Sequence, residues 1–209
     1  MITTQKLVFS YGRDLQFQFP DIECQASEAL LITGNSGKGK TTLLHLLGGL
    51  LQPQEGNVVI NTVNIAALSP AVLDKFRGEN IGLVLQQNHF VASLSVLENV
   101  VLASWLATGS KAIAKAKSLL QALDLENKMD KLPSQLSVGQ QQRASIARAL
   151  INEPKLLLAD EPTSSLDDEN ALRVAQLLEK LSKEYRAALI IVTHDARLKE
   201  LFTNQIHLD

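Results

Sequence analysis

The feature that most constrains the fold is a glycine-rich loop at residues 34–42, Gly-Asn-Ser-Gly-Lys-Gly-Lys-Thr-Thr. It matches the pattern G-x-x-x-x-G-K-[ST] at every fixed position. An apolar run at 29–33 precedes the loop and predicts a buried strand, and the residues after it predict a helix. Glycines let the backbone curl so that successive N–H groups point at one anion, and a helix N-terminus adds partial positive charge. The sequence therefore predicts a strand–loop–helix unit that binds phosphate groups.

Two residues of this loop have specific predicted roles. Lys40 is expected to reach the β- and γ-phosphates of a bound nucleotide, and the Thr41 hydroxyl is expected to bind Mg²⁺. The alternative is a glycine-rich turn that only happens to precede a helix, and the complete match in its strand–helix context weighs against it. The predicted nucleotide-binding residues of the loop are Gly34, Asn35, Ser36, Gly37, Lys38, Gly39, Lys40, Thr41 and Thr42.

Three apolar runs predict parallel strands that are buried on both faces. Each run ends in a polar or glycine cluster: the loop that starts at Gly34, the pair Asp160 and Glu161, and the pair His194 and Asp195. Ligands of open α/β sheets bind at the carboxyl ends of the strands, so these segments are predicted to meet in one site. The three runs are residues 29–33, 155–159 and 188–193.

The acidic pair has the chemistry that nucleotide hydrolysis requires. A carboxylate at the end of a buried strand suits Mg²⁺, usually through water, and this is the role predicted for Asp160. Glu161 is predicted to polarise or orient an attacking water as a general base. The alternative is two acidic residues that leave a strand into solvent and cap the next element.

The remaining patterns indicate one domain with a mixed core and a helical lobe. Residues 7–9 and 16–19 alternate like antiparallel strands, and 96–125 have a helical pattern with a break at Gly109. We expect an α/β fold of the P-loop NTPase class, with a mostly parallel sheet core, an N-terminal antiparallel β subdomain and an inserted α-helical subdomain. Within a single domain 1–209, the predicted core spans about 1–90 and 151–209, and the predicted helical subdomain about 91–150.

A second candidate anion site begins at residue 137. Ser137 and Gln140 have the spacing of a capping box, so a helix is predicted from here to about residue 151, before Pro154. The plain interpretation is a well-capped helix. The same helix N-terminus, with free N–H groups and a serine hydroxyl, can also bind an anion.

Residues 136–140 read Leu-Ser-Val-Gly-Gln and are close to the LSGGQ signature of ABC nucleotide-binding domains. Together with the loop, the acidic pair, Ser-Leu-Asp at 165–167 and His194, they resemble that family in order and approximate spacing over essentially the whole chain. The resemblance implies an ATPase that works as a head-to-tail homodimer with two ATP molecules at the interface. Each composite site would combine residues 34–42 of one chain with Ser137, Gly139 and Gln140 of the other.

Further roles follow from the resemblance alone. Tyr11 matches the aromatic residue that stacks on adenine, although an ordinary strand or turn tyrosine is the alternative. Gln86 matches the glutamine that senses Mg²⁺ and the attacking water, with Gln87 as a less favoured candidate. Asp167 matches the loop that crosses the dimer interface, and His194 matches the histidine that contacts the γ-phosphate.

Two positions differ from the usual family pattern. Val138 replaces a glycine, a change that is tolerated if its two neighbours make the contacts to phosphate. Lys38 replaces a small polar residue and either adds positive charge near the phosphates or is simply solvated. The stretches 81–86 and 93–100 resemble the LolD/MacB-type branch of the family, which serves lipoprotein release and the export of macrolides or peptides.

The composition is ordinary for a globular protein, and if such a chain serves a membrane, it does so from outside and through a partner. The chain is 45% hydrophobic and 20% charged with a net charge of -2, which argues against nucleic acid as a ligand. No apolar stretch reaches the roughly 20 residues needed to cross a bilayer, and the single cysteine fits a reducing compartment. The resemblance implies a cytoplasmic ATPase that is peripheral on the inner face of the cell membrane. An integral permease subunit would hold it there, and that subunit would contact the transported substrate.

Two other functions stay open from the sequence. An ABC-type dimer that controls a membrane partner by signalling, without translocation, would use the same ATPase motifs. A non-transport ABC ATPase that acts on nucleic acid would carry long insertions between the loop and the signature. In this chain that interval is short and free of cysteine.

Overall fold

The computed structural model describes residues 1–12 and 15–208, which form two β-sheets and six α-helices. The strands are β1 (Ile2–Tyr11), β2 (Leu15–Gln18), β3 (Glu23–Cys24), β4 (Ala29–Gly34), β5 (Glu55–Ile60), β6 (Val63–Asn64), β7 (Ile81–Val84), β8 (Leu156–Asp160), β9 (Ala188–Thr193) and β10 (Gln205–Leu208). The helices are α1 (Lys40–Leu47), α2 (Pro70–Asn80), α3 (Val96–Thr108), α4 (Ile113–Ala122), α5 (Val138–Leu150) and α6 (Asp168–Glu184). None of the helices in the described part of the chain is both long enough and apolar enough to span a bilayer.

The central sheet is parallel and has the order β10–β4–β9–β8–β7. Strands β4 and β9 cover the apolar runs predicted at 29–33 and 188–193, and β8 lies one residue later than its predicted run. The side chains of these strands alternate between two hydrophobic clusters. Leu30 and Ile32 pack with α1, whereas Leu31 belongs to the cluster that contains α5 and α6. The prediction of parallel strands buried on both faces is confirmed.

A second, antiparallel sheet has the order β2–β1–β5–β6, with β3 paired to β1. Phe9 and Phe17 lie opposite each other in β1 and β2, so the predicted antiparallel pairing of the N-terminal segments is confirmed. Ile2 and Val58 belong to the same hydrophobic cluster as α1, which places this sheet beside one face of the parallel sheet. Strands β5 and β6 and helix α2 lie between residues 55 and 80, and sequence patterns did not predict them.

The helices between β7 and β8 begin and end where local signals place them. Ser95 starts α3 with a reciprocal capping box, and Gly109 ends that helix in the left-handed region with φ 74°. Ser137 and Gln140 form a capping box at the start of α5, which ends at Leu150. A capping box satisfies backbone N–H groups that have no partner within the helix. The predicted break at Gly109 and the predicted helix start at Ser137 are confirmed.

Strand β7 approaches α5 so closely that only glycine fits between them. A Cβ on Gly82 would lie 2.5 Å from the carbonyl oxygen of Ala149 and 3.0 Å from side-chain atoms of Leu157 and Pro154. A backbone oxygen cannot rotate away as a flexible side chain can, so the helix or the strand would have to move. Gly82 therefore fixes the spacing between β7 and α5.

Gly82→Ala should lower the free energy of unfolding by about 2 kcal/mol, because the added methyl group overlaps the α5 backbone. Urea unfolding followed by circular dichroism measures this change. The control is Gly139→Ala, since a Cβ there would meet no atom of the described residues within 4 Å beyond its own helix. Alanine has the higher helix propensity, so the control should keep or slightly raise stability. Equal stability of Gly82→Ala and the native chain would show that α5 can move away from β7 at no cost.

Candidate functional site

The carboxyl ends of β4, β8 and β9 meet along one edge of the parallel sheet, beside a cleft of about 790 Å³. The strands are in register there, with Thr33 opposite Thr193 and Asp160 opposite Val192. The cleft brings the glycine-rich loop together with three distant residues of the predicted site, Gln86, Glu161 and His194. The wall consists of Leu15, Phe17, Asn35, Ser36, Gly37, Gly39, Lys40, Thr41, Thr42, Gln86, Glu161 and His194.

The loop after β4 wraps around the ammonium group of Lys40. The Lys40 Nζ atom donates to the carbonyl oxygens of Gly34 at 2.8 Å and Asn35 at 3.1 Å, and the residue is only 9% exposed. Gly37 and Gly39 have φ angles of 83° and 84°, in the left-handed region that favours glycine. Helix α1 begins at Lys40, so its N-terminal N–H groups and partial positive charge lie at the loop. This arrangement is suited to binding phosphate groups.

Aromatic residues of the antiparallel sheet support the loop from one side. A Cβ on Gly39 would lie 2.8 Å from the ring of Phe17, so the loop and the ring are in close contact. Phe17 stacks on Phe19 with ring centroids 5.9 Å apart and meets Tyr11 edge to face at 6.3 Å. Tyr11 is 48% exposed, and its hydroxyl lies 3.4 Å from Thr42 Oγ1. Tyr11 thus lies beside the loop, and Phe17 is a cleft residue that the sequence analysis did not identify.

Thr41 lines the cleft and its Oγ1 atom donates to Asp160 Oδ1 at 3.5 Å, whereas Asp160 itself lies outside the described wall. Asp160 is 6% exposed, and burial raises the pKa of its carboxyl above the usual value. The hydrogen bond from Thr41 and the charges of His45 and Lys40 lower that pKa, whereas the charge of Glu161 raises it further. A buried carboxyl beside a hydroxyl is favourable for a cation, because the cation would stabilise the ionised form.

The Glu161 carboxylate is fixed in position by the end of β9. The Glu161 backbone has a φ of 47°, in the left-handed region, which is uncommon for residues other than glycine and costs free energy. Thr193 Oγ1 donates to Glu161 Oε2 at 2.7 Å, and the His194 backbone N–H donates to Oε1 with an N···O distance of 3.1 Å. His194 Nδ1 lies 2.7 Å from the same Oε1. The Glu161 side chain is 10% exposed and that of His194 is 65% exposed, so the histidine extends from the carboxylate toward solvent.

Gln86 and Lys38 differ in their relation to the cleft. Gln86 follows β7 and lines the wall, whereas its exposed neighbour Gln87 lies outside the described wall residues. Lys38 is also exposed and outside the described wall, although it belongs to the loop. Of the two glutamines, Gln86 is therefore the one at the cleft, and the Lys38 side chain is exposed to solvent.

The start of α5 lies in a different cleft, of about 620 Å³, between α5 and α6. Ser137 Oγ accepts from the Gln140 backbone N–H at 3.3 Å, and Gln140 Oε1 accepts from the Ser137 N–H at 3.0 Å. Gly139 lies in this cleft with open space around its Cα. Val138 is 53% exposed, so the side chain at this unusual position causes no crowding within the chain.

Asp167 lies in this second cleft and caps α6. Its Oδ1 atom accepts from the Asn170 backbone N–H at 2.9 Å, and this contact lowers the pKa of the carboxyl. The sequence analysis gave Asp167 an interface role and did not predict the cap. A single chain therefore does not place Ser137, Gly139, Gln140 or Asp167 at the cleft of the glycine-rich loop.

A polar cluster next to His194 was not predicted. Arg197 donates to both carboxylate oxygens of Asp195, at 2.8 and 2.6 Å, and to Asp168 at 2.5 Å. Thr163 Oγ1 also donates to Asp195, at 2.7 Å. The hydrogen bonds from Arg197 are the main reason that the pKa of Asp195 is lowered to about 2. The cluster ties the loop between β8 and α6 to the loop after β9, and the only signal in the sequence was an acidic residue directly after His194.

Comparisons with known proteins agree with this geometry. Residues 18–164 match the family model described as ABC transporter. The chain is 46% identical to the lipoprotein-releasing system ATP-binding protein LolD 2 of Chlorobium chlorochromatii, over 80% of this chain and 73% of that protein. It is 39% identical to LolD 2 of Chlorobaculum tepidum, over 100% of this chain and 89% of that protein.

A solved structure gives the same result. The ATP-binding cassette MJ0796, in a dimeric post-hydrolysis state bound to ADP and Pi, superimposes with a TM-score of 0.89 at 33% identity, over 100% of this chain and 94% of that chain. The P-loop NTPase fold and the family resemblance predicted from the motifs are confirmed. The chain therefore belongs to the ABC transporter family, as an ATP-binding and ATP-hydrolysing subunit.

Proposed function

We propose that this chain drives a membrane permease of the lipoprotein-releasing type, as one half of a homodimer that binds ATP between its two chains. The observation that carries the proposal is that the residues predicted to bind nucleotide line two separate clefts of one chain. Lys40, Glu161 and His194 lie in one cleft, and Ser137 and Gly139 lie in the other. Two chains packed head to tail would join each loop to the α5 terminus of the partner. The dimeric state of MJ0796 supports this arrangement.

The start of α5 is suited to the γ-phosphate of an ATP held by the other chain. The helix N-terminus supplies N–H groups and partial positive charge, and Ser137 adds a hydroxyl. Binding of ATP would bridge the two chains, and hydrolysis would remove the bridge and let the dimer reopen. We propose that residues 91–150 form the helical subdomain whose movement carries this cycle to the membrane partner.

Mg²⁺ is proposed to bind with ATP at Thr41 and Asp160, with Gln86 beside them. Among residues 1–12 and 15–208, no group of three or more His, Cys, Asp or Glu side chains could hold a metal ion. The ion would therefore take most of its ligands from phosphate oxygens and water, as is usual for Mg²⁺ at nucleotides. The buried Asp160 carboxyl fits this site because its raised pKa would fall beside a cation. When bound, Mg²⁺ would neutralise phosphate charge.

Lys40, Glu161 and His194 are proposed to carry out the hydrolysis. The hydroxyl of Thr193 and the His194 N–H hold the Glu161 carboxylate at the strand end, where it can orient an attacking water and accept its proton. Lys40 and His194 would stabilise the negative charge that develops on the γ-phosphate. The groups sit on strand ends and on a loop fixed by α1, so the proposed catalysis is mainly positioning and electrostatic stabilisation.

The permease contact is proposed at a groove of about 430 Å³ between β7, α2, α3 and α5. Leu106 lines this groove and is 70% exposed, and the adjacent Trp105 is 48% exposed. Exposed large apolar residues beside a groove are typical of a surface that binds another protein. We propose an integral membrane partner and a peripheral position on the inner face of the cell membrane, a proposal supported by the ABC transporter family match and by relatives named as ATP-binding proteins of a lipoprotein-releasing system. In this proposal the permease, not this chain, contacts the transported substrate.

Lys40→Ala should reduce ATP binding and hydrolysis by about a hundredfold, because it removes the ammonium group that the loop encloses. Isothermal titration with ATP and Mg²⁺, together with phosphate release, measures both effects. Lys38→Ala is the comparison, since that side chain is exposed and lies outside the described cleft wall. It should stay within about threefold of the native chain. Near-native hydrolysis by Lys40→Ala would contradict the assignment of the loop.

Glu161→Gln should lower phosphate release by about a hundredfold and leave ATP binding intact, because the amide keeps the shape of the side chain and cannot accept the proton. An ATP-bound dimer should then accumulate. Size-exclusion chromatography with light scattering, with and without ATP and Mg²⁺, detects it. Turnover at the native rate would show that Glu161 is not the residue that activates water.

Gly139→Asp should separate ATP binding from dimer formation. The single chain should fold and bind ATP normally, since Gly139 lies in the other cleft and an acidic side chain in the first turn favours a helix N-terminus. ATP-dependent dimerisation of the Glu161→Gln chain should be lost, because the new carboxylate repels the γ-phosphate held by the partner. Gly139→Ala is the matched control and should retain dimerisation. Loss of ATP binding by the Gly139→Asp monomer would refute the composite site.

A further inference from the structure

The segment that follows Gln86 is attached to the last turn of α5 by a single arginine. Arg148 Nη2 donates to the carbonyl oxygen of Asn88 at 2.5 Å, and Nη1 donates to the carbonyl oxygen of His89 at 3.0 Å. The guanidinium carbon also lies 4.9 Å from the centroid of the Phe90 ring. One side chain of α5 therefore contacts three successive residues of the segment.

The charged guanidinium group of Arg148 binds backbone carbonyl groups. In the part of the chain that the structure describes, no ion pair within 4.0 Å joins Arg148 to a carboxylate. The side chain is half-buried, and this burial lowers the pKa of the guanidinium. A buried cation needs strong partners, and here two carbonyl oxygens and an aromatic face supply them. Movement of the segment would leave this charge without its partners.

The backbone conformation of this segment is locally unfavourable and needs the contacts from Arg148 to hold it. His89 has a φ of 43°, in the left-handed region, where a side chain other than glycine costs free energy. The buried Asn99 of α3 holds the next part of the segment. It accepts from the Val91 N–H at 2.8 Å and donates to the carbonyl oxygens of Val91 and Leu94, both at 3.1 Å. Helices α5 and α3 thus both hold the segment 88–94, α5 at its start and α3 in its later part.

These contacts connect the parts that one chain supplies to two different composite sites. Helix α5 is about 20 Å long; it begins beside Ser137 and carries Arg148 near its other end. Gln86 lies two residues before the first carbonyl that Arg148 holds, and it lines the loop cleft. We infer that Arg148 is a positioning residue that fixes Gln86 relative to α5, so that Gln86, beside this chain's own ATP, and Ser137, beside the ATP of the partner, move together.

Arg148 is also placed to respond to the membrane partner, an argument that rests on the proposed function. Arg148 and His89 both line the groove proposed for the permease. A partner segment seated there would contact the same guanidinium that holds the Gln86 segment. Occupation of the groove would thereby act on Gln86 without touching the nucleotide.

A double-mutant cycle with Gln86 tests the inference on the full-length chain. Arg148→Ala should lower kcat for ATP hydrolysis about tenfold and leave KM within about twofold, because the loop, Lys40 and Thr41 are unchanged. In a Gln86→Ala background the same substitution should lower kcat by less than about twofold, because the residue through which it acts is already gone. Arg148→Lys can keep only part of the contacts and should give an intermediate kcat.

The matched control is Arg77→Ala, since Arg77 also donates to a backbone carbonyl, that of Gly49 at 2.9 Å, but on α2. Any effect of Arg77→Ala should be the same with and without Gln86. Urea unfolding identifies variants that are not folded, and Arg148→Lys replaces Arg148→Ala in the cycle if the alanine variant is among them. Equal fold-losses from the Arg148 substitution in both backgrounds would overturn the inference and leave the proposed function standing. If Gln86→Ala alone kept the native kcat, Gln86 would have no role in hydrolysis and the inference would fail.

Discussion

The parallel register of β4, β9 and β8 is the constraint on which the rest of the structure depends. Pairing of Thr33 with Thr193 and of Asp160 with Val192 ends the three strands at the same level. The side chains alternate along each strand, so a slip of one residue would turn every buried side chain to the opposite face of the sheet. Because both faces are packed against separate hydrophobic clusters, the register has one favourable solution. The nucleotide cleft is a consequence of that packing.

At this edge of the sheet, two residues have a backbone conformation or an environment that is unfavourable by itself, and the packed core keeps them in place. Glu161 has a left-handed backbone, and Asp160 keeps a carboxyl where burial raises its pKa. Each of these features is unfavourable alone and persists because the adjacent strand ends fix it. The hydroxyl of Thr193 holds the Glu161 carboxylate, and Lys40 lies within a loop whose carbonyl groups solvate its ammonium. These contacts fix the side chains of the proposed phosphate site in position.

The division of the predicted nucleotide residues between two clefts fits the proposal that this subunit acts as a dimer. The groups proposed to hold ATP and to orient the attacking water lie at the sheet, whereas the signature residues lie at the start of α5, in another cleft. Helix α5 begins at the signature and near its end contacts the segment after Gln86. A rigid helix can transmit a displacement along its whole length, so α5 would connect the groove proposed for the partner with the residues proposed to bind ATP.

The sequence by itself determined the local features of this protein. The loop at 34–42, the buried strands and the capping box at Ser137 were predictable because backbone curvature, side-chain alternation and helix capping depend on residues a few positions apart. The strand ends predicted that His194 lies near the loop, whereas the placement of Gln86 there required the family resemblance as well. Only the tertiary structure decided the contacts of Phe17 with the loop, the Arg197 cluster and the clamp made by Arg148. The Phe17 and Arg148 contacts join residues far apart in the chain, and in all three cases the order of the amino acids does not reveal a partner that the packing of the sheets and helices brings close.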